Sequence, residues 1–188
     1  ADGNPGLFHY PNFIAVDKIS NNNQLLVTDI FNNAIRTVDM IFGFVGNFVR
    51  SPSLRHVFYF TQHERGDIYA TEEHSVVKIT YVSKLITLLS GSSESSGYKD
   101  GTLLQSLFYN PHGLRFIGAD TLMVADRNNQ KLRILYLSLN RVATLDINSF
   151  SKDKPFWYPA SVLIGNTSLF VGVSRRILEY NLKYGGIA

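Results

Sequence analysis

The chain has 188 residues, of which 45% are hydrophobic and 18% are charged, and it carries a formal net charge of +3 with no cysteine. This length predicts one domain, or two small ones, able to bury a substantial core. The lack of cysteine excludes disulfides, thiolate metal ligands and cysteine nucleophiles, while a positive charge this small and scattered favours anionic partners only slightly.

The first apolar runs follow the tetrapeptide FHYP (8–11) and extend to residue 46. They are NFIAVD (12–17), QLLVTDIFNNAIRTVD (24–39) and MIFGFVG (40–46). The runs are short, rich in Val, Ile, Leu and Phe, and bounded by Gly, Asn, Asp and Pro, which is typical of β-strands. They predict a unit of four strands, of which 40–46 is the last.

A weaker copy of this unit follows. Its runs are SPSLRHVFYF (51–60), GDIYATEEHSVVKITY (66–81) and SKLITLLSG (83–91), without the Asp and the two Asn of the first unit. The next segment is rich in Ser and Gly and predicts a flexible loop. After it, DGTLLQSLF (100–108) is the one stretch expected to form a helical turn.

A third unit begins at FYNP (108–111) and continues through DTLMVADRNNQKLRILYL (120–137) and NRVATLD (140–146). A fourth begins at FWYP (156–159), continues through TSLFVGVSRRILEYNL (167–182), and has no further apolar run after it. The third unit is as regular as the first, whereas the fourth keeps only its opening tetrapeptide and one clear strand.

The four units recur at a nearly constant spacing. Their matching positions Asp29, Thr71, Asp126 and Val173 are 42, 55 and 47 residues apart. Four short strands repeated about every 40–55 residues predict the blades of a β-propeller. The expected fold is therefore all-β, with one propeller domain over 1–188. Its blades are expected at about 1–46, 47–91, 92–146 and 147–188.

Two segments, VTDIFNNAIR (27–36) and VADRNNQKLR (124–133), together with the preceding aromatic-x-x-Pro, resemble the NHL repeat. The segment KLITLLSG (84–91), with the later Asp-Gly, is similar to the part that joins NHL blades. The resemblance covers the whole chain as two strong and two degenerate blades. It implies an NHL-type β-propeller and implies no particular activity, because one fold serves many functions.

The aromatic-x-x-Pro tetrapeptide is expected to mark entry into the innermost strand of a blade. Proline cannot donate to a sheet ladder and so sits at the start of a strand, while the aromatic ring fills the wedge between neighbouring sheets. The structural positions predicted in this way are Phe8, Pro11, Phe108, Pro111, Phe156 and Pro159.

The aspartates Asp29 and Asp126 each end a strand before an Asn-containing loop. We expect their carboxylates to accept N–H groups of that loop, as in an Asx turn, rather than to act in catalysis. Arg36, Lys78 and Arg133 share one position on the third strand of their blades. A solvated or ion-paired cation is expected there.

Antiparallel connection places the aromatic-x-x-Pro loops and the loops after the Asp positions on one face of a propeller. Loops carry function more often than core strands do, and Tyr, Trp and Arg dominate binding hot spots. This face is therefore the predicted ligand surface. Its candidate binding residues are Tyr10, Phe31, His74, Tyr109, His112, Arg127, Trp157, Tyr158, Arg175 and Arg176, and His9, Asn12, Asn32, Glu72, Glu73, Asn110 and Asn128 accompany them.

Motifs of catalysis and cofactor binding are missing from the sequence. The five histidines show no metal-ligand spacing, and no P-loop, G-x-S-x-G or dinucleotide fingerprint occurs. We therefore expect no catalytic residues, no metal and no cofactor, and a chain that is not an enzyme.

Three functions remain open from the sequence. The first is a non-enzymatic scaffold that binds a protein or peptide on the predicted face. The second is single-stranded RNA binding on the same face through aromatic stacking and arginine, which some NHL-repeat proteins perform. The third is a lyase-type enzyme with a metal in the central channel, as implied by other NHL propellers.

The fourth unit lacks a fourth strand, and ADGNPG (1–6) offers no apolar run that could replace it. We therefore expect four consecutive blades of a larger, six-bladed propeller in a longer chain, with a four-bladed ring as the alternative. No apolar stretch approaches the roughly 20 residues of a membrane span. A glycosylation sequon at Asn166 leaves the compartment open, since it matters only in a secreted protein.

Overall fold

The computed structural model describes residues 7–145, 158–165, 168–173 and 176–181. This part of the chain forms four antiparallel sheets in a propeller arrangement, with two short 3-10 turns at Ile30–Asn32 and Leu103–Gln105. Consecutive strands are neighbours in every sheet, so each sheet is one blade, and the all-β propeller predicted from the sequence is confirmed. None of the described helical segments is long and apolar enough to cross a membrane.

The first two blades have four strands each. Blade 1 comprises β1 (Pro11–Val16), β2 (Gln24–Asp29), β3 (Ala34–Asp39) and β4 (Val45–Arg50). Blade 2 comprises β5 (Tyr59–Gln62), β6 (Ile68–Thr71), β7 (Ser75–Ile79) and β8 (Ile86–Gly91).

The other two blades differ in their number of described strands. Blade 3 comprises β9 (Pro111–Gly118), β10 (Thr121–Asp126), β11 (Lys131–Tyr136) and β12 (Arg141–Thr144). Blade 4 comprises β13 (Ser161–Ile164), β14 (Ser168–Val173) and β15 (Arg176–Asn181).

The fourth strand of blade 1 is β4, so the prediction of a strand over 40–46 was wrong, and blade 1 extends past residue 46. The apolar residues before it form the tip of the hairpin. Asp39 closes this tip, because its carboxylate accepts the N–H groups of Ile41 and Phe42 at 2.8 and 2.7 Å, and Gly43 supplies the positive φ that the turn needs. Hydrophobicity alone could not distinguish this capped turn from a strand.

Apolar side chains fill the three wedges between consecutive blades. The wedge between blades 1 and 2 contains Leu26, Phe48 and Phe60. The wedge between blades 2 and 3 contains Val76, Phe108 and Leu135, and the wedge between blades 3 and 4 contains Met123, Leu169 and Tyr180. Among the described strands, extensive packing between blades joins only these consecutive pairs. Whether the ring closes with further blades stays a prediction, and Phe156, whose position would test it, lies outside the described residues.

All four blades share one backbone feature in the loop before their first strand. The third residue of the tetrapeptide has a positive φ in Tyr10 (65°), Asn110 (53°) and Tyr158 (52°). Blade 2 has no aromatic-x-x-Pro, yet His56 has φ 51° at the same place. The segment 54–57 (LRHV) is thus the degenerate tetrapeptide of blade 2, with buried Leu54 and Val57 in place of Phe and Pro.

A buried arginine organises the same loop in blade 3. The Arg133 side chain is fully buried and pairs with Asp126 at 2.8 Å and with Asp100 at 2.6 Å. It also donates to the carbonyl oxygens of Lys99 and Leu107, so all five of its N–H groups have acceptors. Its guanidinium lies 4.8 Å from the centre of the Phe108 ring, and the Arg36 guanidinium lies 5.6 Å from that of Phe8, so the two regular blades share this cation–π contact.

The Asp carboxylate has a different role from the one predicted. The Asp29 side chain makes no capping hydrogen bond to the backbone of the turn that follows it, Ile30–Asn32. Instead, the N–H of His9 donates to Asp29 at 2.6 Å, and the N–H of Tyr109 donates to Asp126 at 2.9 Å. The carboxylate therefore ties the tetrapeptide loop to the second strand.

The second carboxylate oxygen in each regular blade holds the loop asparagine. Asn32 donates to Asp29 and Asn129 to Asp126, both at 2.8 Å. In blade 2 the N–H of Arg55 donates to Glu72 at 3.0 Å. A glutamate one position after the Asp position thus ties the tetrapeptide loop of blade 2 to its second strand.

The ion pairs at the shared third-strand position differ in burial. Arg36 is buried and contacts Asp29 at 3.3 Å, whereas Lys78 is about a third exposed and contacts Asp67 at 2.8 Å. All three cations at this position are therefore ion-paired, and the two arginines are not solvated. The Lys78 hydrogen bond lowers the pKa of Asp67, and the Asp67 hydrogen bond raises the pKa of Lys78.

Replacing the buried arginine should cost far more than replacing its partly exposed counterpart. Arg133→Leu leaves the Asp126 carboxylate buried without its cation, and we expect the free energy of unfolding to fall by about 3–5 kcal/mol. Lys78→Leu is the matched control at the same position of blade 2, with an expected loss of about 0–1 kcal/mol. Urea unfolding monitored by circular dichroism measures both, and equal losses would contradict the assignment.

Candidate functional site

The tetrapeptide loops and the loops after the Asp positions lie on one face of the propeller. In the strand ladders Pro11 faces Asp29 and Pro111 faces Asp126, so both kinds of loop emerge at the same ends of the strands. We call this surface the motif face. It is formed by residues 8–12, 30–33, 54–58, 72–74, 108–112, 127–130, 158–160 and Arg176.

A repeated contact links the blades across the motif face. In each of blades 1 to 3, a residue in the loop after the Asp position packs against the tetrapeptide loop of the next blade. The three contacts are Phe31 with His56 at 5.7 Å between ring centres, His74 with Tyr109 at 5.7 Å, and Arg127 over the Tyr158 ring at 5.3 Å. The candidate residues on neighbouring blades thus hold one another in place.

These packed side chains remain open to solvent. Tyr10 is 64% exposed, Phe31 52%, Tyr109 44% and Tyr158 43%. Phe31 also contacts the Tyr10 ring at 5.3 Å, so blade 1 presents a pair of aromatic rings. The motif face is consequently a row of half-exposed, laterally supported aromatic side chains, which is the type of surface that binding hot spots use.

The polar groups of the motif face are unevenly exposed. Glu72 is buried, and burial raises the pKa of its carboxyl, whereas the Glu73 side chain is half-exposed and lies 3.9 Å from the His56 imidazole. The Nδ1 atom of His74 is buried and makes no hydrogen bond with any described residue. Asn12 donates to the Phe58 carbonyl oxygen at 2.7 Å and so ties β1 to the residue that precedes β5.

The His112 side chain is a half-buried candidate residue that packs against a neighbouring blade. Its ring stacks on Phe58 of blade 2, with 4.5 Å between centres and 13° between planes. Burial, assisted by the positive charge of Arg127, lowers the pKa of His112 from 6.5 to about 4. His112 is therefore a neutral packing residue at neutral pH rather than an exposed cation.

The remaining candidates are only partly located. Arg176 begins β15 and is exposed on the motif face. Trp157 and Arg175 lie outside the described residues. No three described His, Asp or Glu side chains are grouped closely enough to hold a metal ion.

Two cavities involve residues that the sequence did not single out. A cleft of about 750 Å³ opens between blades 2 and 3 near the ends of the strands opposite the motif face, and its lining includes His63, Asp67, Lys78 and Asp120. A smaller cavity of about 320 Å³ lies among the first strands of all four blades. Neither carries a sequence motif, because their linings come from single residues on separate blades.

The comparison with curated proteins finds a partial relative. The chain is 31% identical over 97 residues to the chloroplastic protein SUPPRESSOR OF QUENCHING 1 of Arabidopsis thaliana, an alignment that covers 48% of this chain and 9% of that protein. The chain thus spans less than a tenth of this relative. No protein-family model matches the sequence, so the likeness to NHL repeats rests on the motifs alone.

Solved structures share the propeller fold at low sequence identity. A Bacteroides thetaiotaomicron protein of unknown function has a TM-score of 0.76 at 18% identity, over 92% of this chain and 47% of that one. An auxiliary nutrient binding protein from Bacteroides ovatus has a TM-score of 0.73 at 15% identity, over 90% and 47%. This chain therefore spans about half the length of these structural relatives.

The same fold also occurs in an enzyme. Virginiamycin B lyase from Staphylococcus aureus has a TM-score of 0.63 at 18% identity, over 91% of this chain and 51% of that one. Likeness at this level of identity establishes the fold alone. Function has to be argued from the motif face itself.

The half-buried, neutral His112 should make the protein less stable in mild acid. Because its folded-state pKa lies below the unfolded value, the unfolded chain binds more protons between about pH 6.5 and pH 4, and the free energy of unfolding falls as the pH drops through that window. His112→Phe keeps a flat ring on Phe58 and removes the titration.

We expect wild type to lose about 1–2 kcal/mol more than His112→Phe between about pH 7 and pH 5, measured by urea unfolding at each pH. Glu72, with its raised pKa, acts in the opposite direction in both proteins and so cancels in the comparison. Equal losses in the two proteins would contradict a neutral, half-buried His112.

Proposed function

We propose that the chain is a non-enzymatic binding scaffold that recognises a protein or peptide on its motif face. The observation that carries this proposal is the repeated contact between blades, which supports half-exposed aromatic rings from blade 1 to blade 4. Such rings are already ordered before binding, so their immobilisation adds little to the entropy that association costs.

The chemistry of the motif face suits a peptide chain. Aromatic rings offer apolar contact area, and the exposed guanidinium groups of Arg55 and Arg176 offer directional donors at its edges. The Asp29 and Asp126 carboxylates, which might otherwise suggest acid–base chemistry, are buried and already paired with arginine. They hold the loops that present the binding surface.

Replacing two supported rings should abolish peptide capture. We expect a phage-displayed random peptide library to yield enriched sequences on wild type, and Phe31→Ala combined with Tyr109→Ala to lose them, because truncating central aromatic anchors costs about 2 kcal/mol or more each. Phe42→Ala is the matched control. Phe42 is an exposed aromatic residue (71%) in the β3–β4 hairpin, at the opposite ends of the strands.

Three results would contradict the proposal. The first is a library that yields no enriched peptide on wild type. The second is enrichment that survives the double substitution, which would place binding elsewhere. The third is binding of random single-stranded RNA at low salt without peptide enrichment, which would favour the nucleic-acid alternative, since phosphate contacts are strongest at low salt.

A further inference from the structure

The cavity among the first strands of the four blades has an unusual balance of charge. Its described lining contains two cations, Lys18 and Arg115, and no carboxylate. Elsewhere in the propeller the buried and half-buried cations Arg36, Lys78 and Arg133 each have an acidic partner. The cavity is thus a place where positive charge is left uncompensated by the described residues.

Arg115 is the group in this cavity that is most open to a ligand. It extends from the middle of β9, is exposed, and its guanidinium makes no hydrogen bond or ion pair with any described residue. Five N–H donors in a planar fork are therefore available for a carboxylate, which guanidinium binds through two parallel hydrogen bonds.

A second unused polar group lies beside Arg115. The Tyr59 hydroxyl has no hydrogen-bond partner among the described residues, and the Tyr59 ring stacks on Phe13 at 3.7 Å between centres. Burial raises the pKa of Tyr59, and the positive charge of Arg115 lowers it. Both residues line the same cavity, so one ligand can contact both, with the hydroxyl as a neutral donor.

The rest of the cavity wall combines apolar side chains with the polar residues Thr61 and Gln62. Phe13, Phe116 and Val162 contribute to it from three different blades, and the Lys18 ammonium, held 2.8 Å from the Gln62 carbonyl oxygen, completes the polar part. A volume of about 320 Å³ lies at the small end of the range of roughly 300–1,000 Å³ for small-molecule sites. Such sites combine apolar walls with a few convergent polar groups, and this cavity offers both kinds of surface, of which the polar part is the larger.

We propose that this cavity, the inner-strand cavity, binds a small organic carboxylate with an apolar or aromatic body. The carboxylate pairs with Arg115 and accepts a hydrogen bond from the Tyr59 hydroxyl, while the body packs against Phe13 and Phe116. The site is separate from the motif face, so each can be tested without the other.

Benzoate is the probe that tests the inner-strand cavity. Isothermal titration calorimetry of wild type should show saturable binding of benzoate at millimolar concentration and much weaker binding of benzamide, its neutral counterpart. Arg115→Gln should weaken benzoate binding about tenfold or more, the effect of one charge-assisted hydrogen bond, and Tyr59→Phe should weaken it less. Arg50→Gln, which removes an exposed arginine from the outer strand of blade 1, should leave it unchanged.

Thermal unfolding of each variant shows that it is folded before its binding is compared. If Arg115→Gln is unfolded, Tyr59→Phe carries the test, because it deletes one oxygen and keeps the ring. No saturable binding of benzoate to wild type would overturn the proposal, as would equal binding of benzamide or an equal loss in Arg50→Gln. Equal affinity for inorganic phosphate would also overturn it, because the apolar walls would then contribute nothing.

Discussion

The structure depends on a buried charge pair that joins the second and third strands of a regular blade to the loop that enters it. Arg133 and Asp126 form this pair in blade 3, and Arg36 and Asp29 form it in blade 1. A buried arginine is costly unless it is paired with an acid and hydrogen-bonded, and Arg133 satisfies all of its donors with two carboxylates and two backbone carbonyls. The entering loop therefore has little freedom to move.

That constraint explains how the motif face can be both exposed and ordered. The carboxylate that accepts from the arginine also accepts the N–H of the residue after the motif aromatic, so His9 and Tyr109 begin from fixed backbone positions. Their neighbours Tyr10 and Asn110 then adopt a positive φ and direct the chain into the first strand. Side chains that project from such loops keep their orientation although solvent surrounds them.

Blade 2 shows which of these interactions the loop that enters a blade requires. It replaces Phe by Leu54, Pro by Val57 and Asp by Glu72, and it moves the ion pair to the partly exposed Lys78 and Asp67. The positive φ at His56 and the hydrogen bond from the Arg55 N–H to a carboxylate are kept. Backbone geometry and one carboxylate acceptor therefore define the blade entry, while the aromatic ring, the proline and the buried arginine strengthen it.

The sequence alone determined the propeller, because short apolar strands, bounded by turn residues and repeated about every 40–55 residues, leave few other folds. It also placed the tetrapeptide loops and the post-Asp loops on one face, since that follows from antiparallel connection. Tertiary structure decided what depends on neighbouring blades. It packed His112 against Phe58 and assigned the Asp carboxylates to the entering loop. It also assembled the inner-strand cavity from residues on four blades. These contacts join residues that are distant in the sequence, and no local pattern records them.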